Sequence, residues 1–199
     1  MPNNSPWRKF KKVELHRHLE GSVRLPTILE VAAEAGVTLP ANNTEDLKRF
    51  ALITGKMGSL KEVLDKFWLT QSVLATPKIV ERVAYENVID AYNDGIRVLE
   101  LRYSPGFLCA NHKNLSYDTA HEAICKGITN AKNDLAAAGK IIAVGLICII
   151  SRDQPMKEAE DTTAFAIAHK QSFVGFDLAG DEEGFDCKLF EKFFTRARK

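Results

Sequence analysis

The sequence lacks the features that mark several specialised classes of protein. Its 27 basic and 26 acidic residues leave a net charge of +1, so a surface that attracts nucleic acid over a long range is not expected. The N-terminal residues contain no apolar segment of the secretory type. The longest apolar run, residues 141–150, is too short to span a bilayer. We therefore expect no nucleic-acid partner and no membrane association.

Cysteine is also scarce, and its placement excludes two kinds of site. The four cysteines are scattered, and no two of them form a Cys-x-x-Cys pair. A disulfide framework and a cysteine zinc site are both disfavoured by that spacing. Reduced thiols, and with them a cytoplasmic location, are the expectation.

What the sequence does contain is a regular alternation of strand and helix patterns. Strands are predicted at residues 12–19, 97–103, 141–150 and 173–178. Helices are predicted after Pro26, from the Ser59-x-x-Glu62 capping box, and over residues 76–95, 116–138, 155–169 and 187–198. Such alternation predicts a parallel sheet with helical crossovers. It fits either an open doubly wound sheet or half of an eight-fold barrel. No Gly-x-Gly-x-x-Gly turn follows any strand, which weakens the dinucleotide-binding form of the first.

The sharpest chemical feature is the pair of histidines in the first predicted strand. His16 and His18 are two residues apart, so their side chains are expected on the same face. Two neighbouring imidazoles can share a zinc ion, and zinc lowers the pKa of a bound water toward neutrality. A bare His-x-His is common and can arise without a metal. The acidic Glu20 directly after the pair favours the metal interpretation.

Three segments of the chain carry a resemblance to a known family. They are residues 12–22 (KVELHRHLEGS), 98–105 (VLELRYSP) and 174–182 (VGFDLAGDE), and they resemble the first, second and fourth strands of the adenosine deaminase family. Their order and spacing agree with the family over essentially the whole chain. The resemblance implies an α/β fold of the (βα)8 TIM-barrel type, of which residues 1–199 hold only the first four βα units in one domain.

The resemblance also implies an activity and a set of site residues. The activity is zinc-dependent hydrolytic deamination of adenosine and deoxyadenosine to inosine and ammonia, in purine salvage, by a monomeric protein whose only partner is a small purine nucleoside. His16 and His18 would bind zinc, and His18 would also lie against the substrate. Glu20 would bond the ribose, and the backbone N–H of Gly180 would bond a purine ring nitrogen. The helix after Ser59 would form an apolar gate through Leu60, Val63, Leu64 and Phe67.

Other interpretations of these residues stay open. Glu20 could cap the next helix, Gly180 could be a simple turn glycine, and the apolar stripe could be ordinary core. Asp177 could orient the metal ligands or cap a helix, and Arg102 could pair with Glu100. The remaining histidines, His112, His121 and His169, are predicted on loops and helix surfaces.

Two departures from the family pattern affect the expected function. The family often has aspartate at the position of Glu20, and the longer side chain reaches further toward the pocket, which would alter the preference between a nucleoside and a free base. The family's third histidine ligand, its proton-shuttling glutamate and an aspartate ligand come from later strands. We therefore expect no catalytic acid or base before Lys199, and no activity from this chain alone. The alternatives are an adenine deaminase and a barrel that only binds; a cytidine-type deaminase is disfavoured because no Pro-Cys-x-x-Cys follows.

Overall fold

The four strands form one parallel sheet in which sequence neighbours are also spatial neighbours. The computed structural model describes residue 7 and residues 10–198. The strands are β1 (Lys12–His18), β2 (Ile96–Tyr103), β3 (Ala143–Ser151) and β4 (Phe173–Ala179). Their order is β1-β2-β3-β4, and each adjacent pair is parallel. In a doubly wound sheet the order of the strands reverses at a switch point, whereas in a barrel each new strand is added next to the previous one in sequence order. The observed strand order is therefore that of the barrel type.

Helices connect the strands, and most begin and end where the sequence predicts. They are α1 (Leu25–Ala35), α2 (Thr44–Ala51), α3 (Leu60–Ser72), α4 (Pro77–Asn93), α5 (Pro105–Cys109), α6 (Tyr117–Ala137), α7 (Met156–Ala168) and α8 (Glu191–Ala197), with a 3₁₀ turn at Cys187–Phe190. Helices α2 and α5 were not predicted, although Asn43 and Ser104 cap them as N-cap side chains. Within the described residues, no helix has both the length and the apolar character needed to cross a bilayer.

The sheet has one covered face and one open face. Leu99, Leu101 and Tyr103 on β2 are fully buried in the core that the sheet shares with α4 and α6. Val98 has the opposite parity and is 40% exposed, and its register partner Val13 is 62% exposed. Val174 on β4 lies on the same face and is 65% exposed. The face that carries these valines therefore lacks a cover within the described residues.

Close contact between α4 and α6 depends on a glycine in the middle of α6. A β-carbon placed on Gly127 would lie 2.2 Å from the carbonyl oxygen of Glu81 and 3.0 Å from the Ala84 β-carbon. Both atoms belong to α4, and the nearer one is backbone that cannot rotate away. Gly127 therefore sets the distance between the two helices.

Replacing Gly127 by alanine is expected to destabilise the fold. Alanine normally stabilises a helix interior by about 1 kcal/mol relative to glycine. At this position the overpacking against α4 should outweigh that gain and lower the free energy of unfolding by about 1–3 kcal/mol. Denaturant unfolding of the variant measures it, with Lys132→Ala on the exposed side of α6 as the control. An unchanged or raised midpoint would mean that the helices separate at no cost.

The prediction that His121 lies on a helix surface is wrong. It is 4% exposed, between α6, α7 and the sheet. Its Nδ1 lies 2.8 Å from the Tyr103 hydroxyl and its Nε2 lies 2.7 Å from the Ser172 hydroxyl. Burial is the main cause that lowers the pKa of His121 to about 4. The neutral ring thus links β2 to the segment before β4, a structural role that its place on the inward stripe of α6 permits.

Candidate active site

The carboxyl ends of the strands surround a cavity of about 230 Å³. It receives side chains from the ends of β1, β2, β3 and β4 and from one side of α3. Barrel enzymes place their active sites at this end of the sheet. The lining residues are His18, Glu20, Leu60, Val63, Leu64, Phe67, Trp68, Ser104, Phe107, Ile149, Ser151, Asp153, Ala179 and Gly180.

The structure brings His16 and His18 together at the end of β1. Their ring centres are 5.3 Å apart. A tetrahedral zinc ion held by two imidazole nitrogens at about 2.1 Å places the ring centres about 5 Å apart, so the pair fits one shared ion. The pairing of β1 with β2 shifts register between Glu14 and Arg17. Simple alternation along the strand therefore does not by itself explain why the two rings meet.

Two ligands fall short of the three that a catalytic zinc site requires from protein. Among the described residues, no group of three or more histidine, cysteine, aspartate or glutamate side chains is arranged to hold a metal. His16 and His18 alone would therefore be an incomplete ligand set for such an ion.

The surroundings of His18 keep its ring neutral. Burial is the largest cause that lowers the pKa of His18 to about 4, followed by the proximity of His16 and of Arg102. A neutral imidazole is the form that binds a metal. Arg102 forms an ion pair with Asp177 across the open face and donates to the carbonyl oxygen of Leu15 at 3.1 Å. Arg102 therefore pairs with Asp177 rather than with Glu100, and it fixes the backbone of β1 next to the histidines.

Glu20 is a buried carboxylate with one oxygen free. The residue is 2% exposed, and its Oε1 accepts a hydrogen bond from the backbone N–H of Ser104 at 2.7 Å. Its Oε2 is buried without a partner among the described residues. Burial raises the pKa of Glu20 to about 7. An unpaired buried polar atom costs stability, so one that faces a cavity indicates a ligand contact.

Two serines that the sequence interpretation did not single out support Glu20. Ser104 follows β2 and caps α5, since its hydroxyl accepts from the N–H of Phe107. Ser151 ends β3, and its buried hydroxyl donates to that of Ser104 at 3.0 Å. The link from β3 through Ser104 to Glu20 holds the carboxylate in one orientation. Only the position of Ser104 between a strand and Pro105 signalled this role in the sequence.

Gly180 lies directly after β4, where the backbone turns. Its φ of 101° falls in the region that glycine adopts readily and other residues rarely do. A β-carbon there would lie 3.0 Å from Oδ1 of Asp153 and 3.2 Å from the backbone nitrogen of Arg152. Its own N–H has no acceptor among the described residues. Gly180 is thus both a turn glycine and an available donor at the cavity.

Helix α3 closes one side of the cavity with its apolar stripe. The four predicted gate residues, Leu60, Val63, Leu64 and Phe67, all line it. Phe67 also meets His18 edge to face, with ring centres 5.4 Å apart. Trp68 and Phe107, which were not predicted, add a second aromatic pair at 4.6 Å. The wall is suited to a flat ring such as a purine.

Solved structures share this fold over most of the chain. A zinc-bound amidohydrolase from Burkholderia ambifaria superimposes with a TM-score of 0.79 at 24% identity, over 96% of this chain and 50% of its own. ADAL of Arabidopsis in complex with GMP gives 0.76 at 28% identity, over 96% and 56%. The N6-methyl-AMP deaminase of Arabidopsis thaliana gives 0.73 at 26% identity, over 96% and 55%. The fold is therefore that of a partial TIM barrel.

Sequence comparison is more specific. The adenosine deaminase of Shewanella denitrificans is 40% identical over 186 residues, which are 94% of this chain and 54% of that protein. The adenosine deaminase of Photorhabdus laumondii is 38% identical over 190 residues, or 96% and 55%. The chain thus spans about half the length of the curated relatives it matches. The family model described as adenosine deaminase matches residues 11–199. This chain belongs to the adenosine deaminase family.

Proposed function

We propose that the complete protein built on this chain deaminates adenosine and deoxyadenosine hydrolytically, with zinc, in purine salvage. The observation that carries the proposal is the cavity itself. Its lining combines His18, whose ring stands at zinc-compatible spacing from that of the exposed His16 beside the cavity, with a buried carboxylate that has a free oxygen and an unpaired backbone N–H. Membership of the adenosine deaminase family supports the reaction class.

His16 and His18 would hold the metal. When bound, zinc would act as a Lewis acid that lowers the pKa of water toward neutrality. Arg102, which is paired with Asp177, keeps β1 in place next to the two rings through its hydrogen bond to the Leu15 carbonyl. The neutral state of His18 leaves its ring nitrogen free to bind.

The other cavity residues would bind and orient the substrate. The free oxygen of Glu20 would accept a hydrogen bond from a ribose hydroxyl, and the N–H of Gly180 would donate to a ring nitrogen of the base. The apolar side of α3 and Phe107 would cover the purine and exclude water, which strengthens both polar contacts. Ser104 would position Glu20 through its backbone N–H.

Residues 1–199 would form the N-terminal half of one barrel domain. The remaining zinc ligands and the group that transfers protons would come from further strands of the barrel, with their side chains on the face of the sheet that is open here. The exposed Val13, Val98 and Val174 support this, because a second half would cover them. A purine nucleoside would be the partner of a monomeric protein.

The substrate assignment is tested by replacing Glu20 with glutamine in the complete protein. The variant loses the charge but keeps an acceptor for Ser104. Loss of one charge-assisted hydrogen bond costs about 1.5–3 kcal/mol, so KM for adenosine should rise about tenfold or more, and KM for adenine should change little. Steady-state kinetics with both substrates measures this, with Glu34→Gln on the exposed side of α1 as the control.

Adenine deamination is the second candidate, because Glu20 is longer than the family's usual aspartate. A wild-type protein that turns over adenine much faster than adenosine would establish it. If neither compound is turned over by the zinc-loaded complete protein, the proposed function is wrong and a binding role replaces it.

A further inference from the structure

The cavity opens into an outer groove that is strongly acidic. Leu60, Leu64, Trp68 and Asp153 line both spaces, so the two are continuous. The groove adds the charged side chains Lys61, Asp65, Asp181 and Glu183. Lys61 lies 3.0 Å from Asp65 and is already paired with it. Apart from that pair, the groove carries three carboxylates, those of Asp153, Asp181 and Glu183.

The groove offers little that could hold a phosphate. Its charged lining within the described residues includes no arginine. The side chain of nearby Arg152 is 11% exposed, donates to the Phe185 carbonyl at 3.0 Å and lies 3.7 Å from Glu182, and its Nε is buried without a partner among the described residues. Two amides at the start of α3 also have acceptors, because Gly58 N–H donates to the Glu62 side chain and Glu62 N–H donates to Ser59.

Asp153 is the carboxylate best placed to act on a substrate. It borders both the cavity and the groove. Its Oδ1 lies 3.0 Å from the point where a β-carbon would stand on Gly180, and it has no ion pair among the described residues. Asp181, in contrast, accepts from the N–H groups of Glu183 and Gly184 and so shapes its own loop. Asp153 can therefore be changed with little effect on the local fold.

We propose that this groove selects against phosphorylated substrates, and that Asp153 is the main specificity-determining residue. The inference rests on the proposed function and narrows it to nucleosides and bases. A phosphate dianion in the groove would meet the carboxylates of Asp153, Asp181 and Glu183, and the one ammonium there, that of Lys61, is already paired with Asp65. Such repulsion against one ligand class is a common source of specificity. Relatives that bind GMP or act on N6-methyl-AMP would need a different charge pattern at this place.

Product binding by the complete zinc-loaded protein tests the inference, because it needs no turnover. Calorimetry would compare inosine with inosine 5′-monophosphate for the wild type, Asp153→Asn and Asp153→Lys, with the exposed Glu122→Gln as the control. We expect the wild type to bind inosine about 100-fold more tightly than inosine 5′-monophosphate. The ratio of the two dissociation constants, monophosphate over inosine, should fall about threefold in Asp153→Asn and about tenfold or more in Asp153→Lys. Both changes should be smaller at high salt.

The inference is overturned if the wild type binds the monophosphate as tightly as inosine, if the Asp153 variants leave the ratio unchanged, or if neither compound binds. Adenosine turnover, measured on the same samples, tests the proposed function separately. A protein that binds inosine selectively but turns over nothing would keep the inference and remove the proposed function. A protein that deaminates adenosine and AMP equally well would keep the proposed function and remove the inference.

Discussion

Replacing His16 or His18 with alanine is expected to remove zinc from the complete protein and to lower adenosine turnover by about 10³-fold or more. The two rings stand at the spacing that one zinc ion requires, 5.3 Å between centres. A catalytic zinc ion held by three or four protein ligands loses much of its affinity when one is removed. Elemental analysis and steady-state kinetics of each variant measure the two effects.

The control for this experiment is His169→Ala. His169 pairs with Asp118 at the surface through a 3.0 Å contact and lies away from the cavity. This variant should keep its zinc and its activity. Equal zinc content in the wild type and in His16→Ala would contradict the metal assignment, whatever the activity shows.

Residues 1–199 purified alone are expected to show no measurable deamination of adenosine. The chain would provide two histidine ligands, and Glu20, the acidic residue beside them, accepts a hydrogen bond from the backbone of Ser104. Hydrolysis needs a complete metal site and a group that transfers protons within hydrogen-bond reach of the base. Conversion of adenosine to inosine, followed by absorbance with zinc present, measures it.

The same protein should also associate with itself. The open face exposes Val13, Val98 and Val174, and strands β1 and β4 each have a free edge within the described residues. Exposed apolar faces and strand edges promote association. Size-exclusion chromatography at several concentrations would detect it. Turnover comparable to that of the complete protein, in monomers or assemblies, would show that the catalytic group lies within this chain.

The sequence alone determined the features that depend on local patterns. Side-chain caps and helix-ending glycines predicted most helices, because these signals act within four residues of the helix end. The alternation of strands and helices predicted a parallel sheet, and the three family-like segments predicted which residues gather at its carboxyl end. Residues His18, Glu20 and Gly180 do line one cavity.

Only the tertiary structure decided features that depend on contacts between distant segments. Local periodicity was compatible with two sheet architectures, and strand order separated them. Partners such as Arg102 with Asp177, or His121 with Tyr103 and Ser172, lie far apart in sequence and leave no local signal. Packing also leaves the second Glu20 oxygen buried without a hydrogen-bond partner, and it gathers the acidic side chains of the groove beside Asp153. Burial and charge at a site are sums over neighbours, and the fold selects those neighbours.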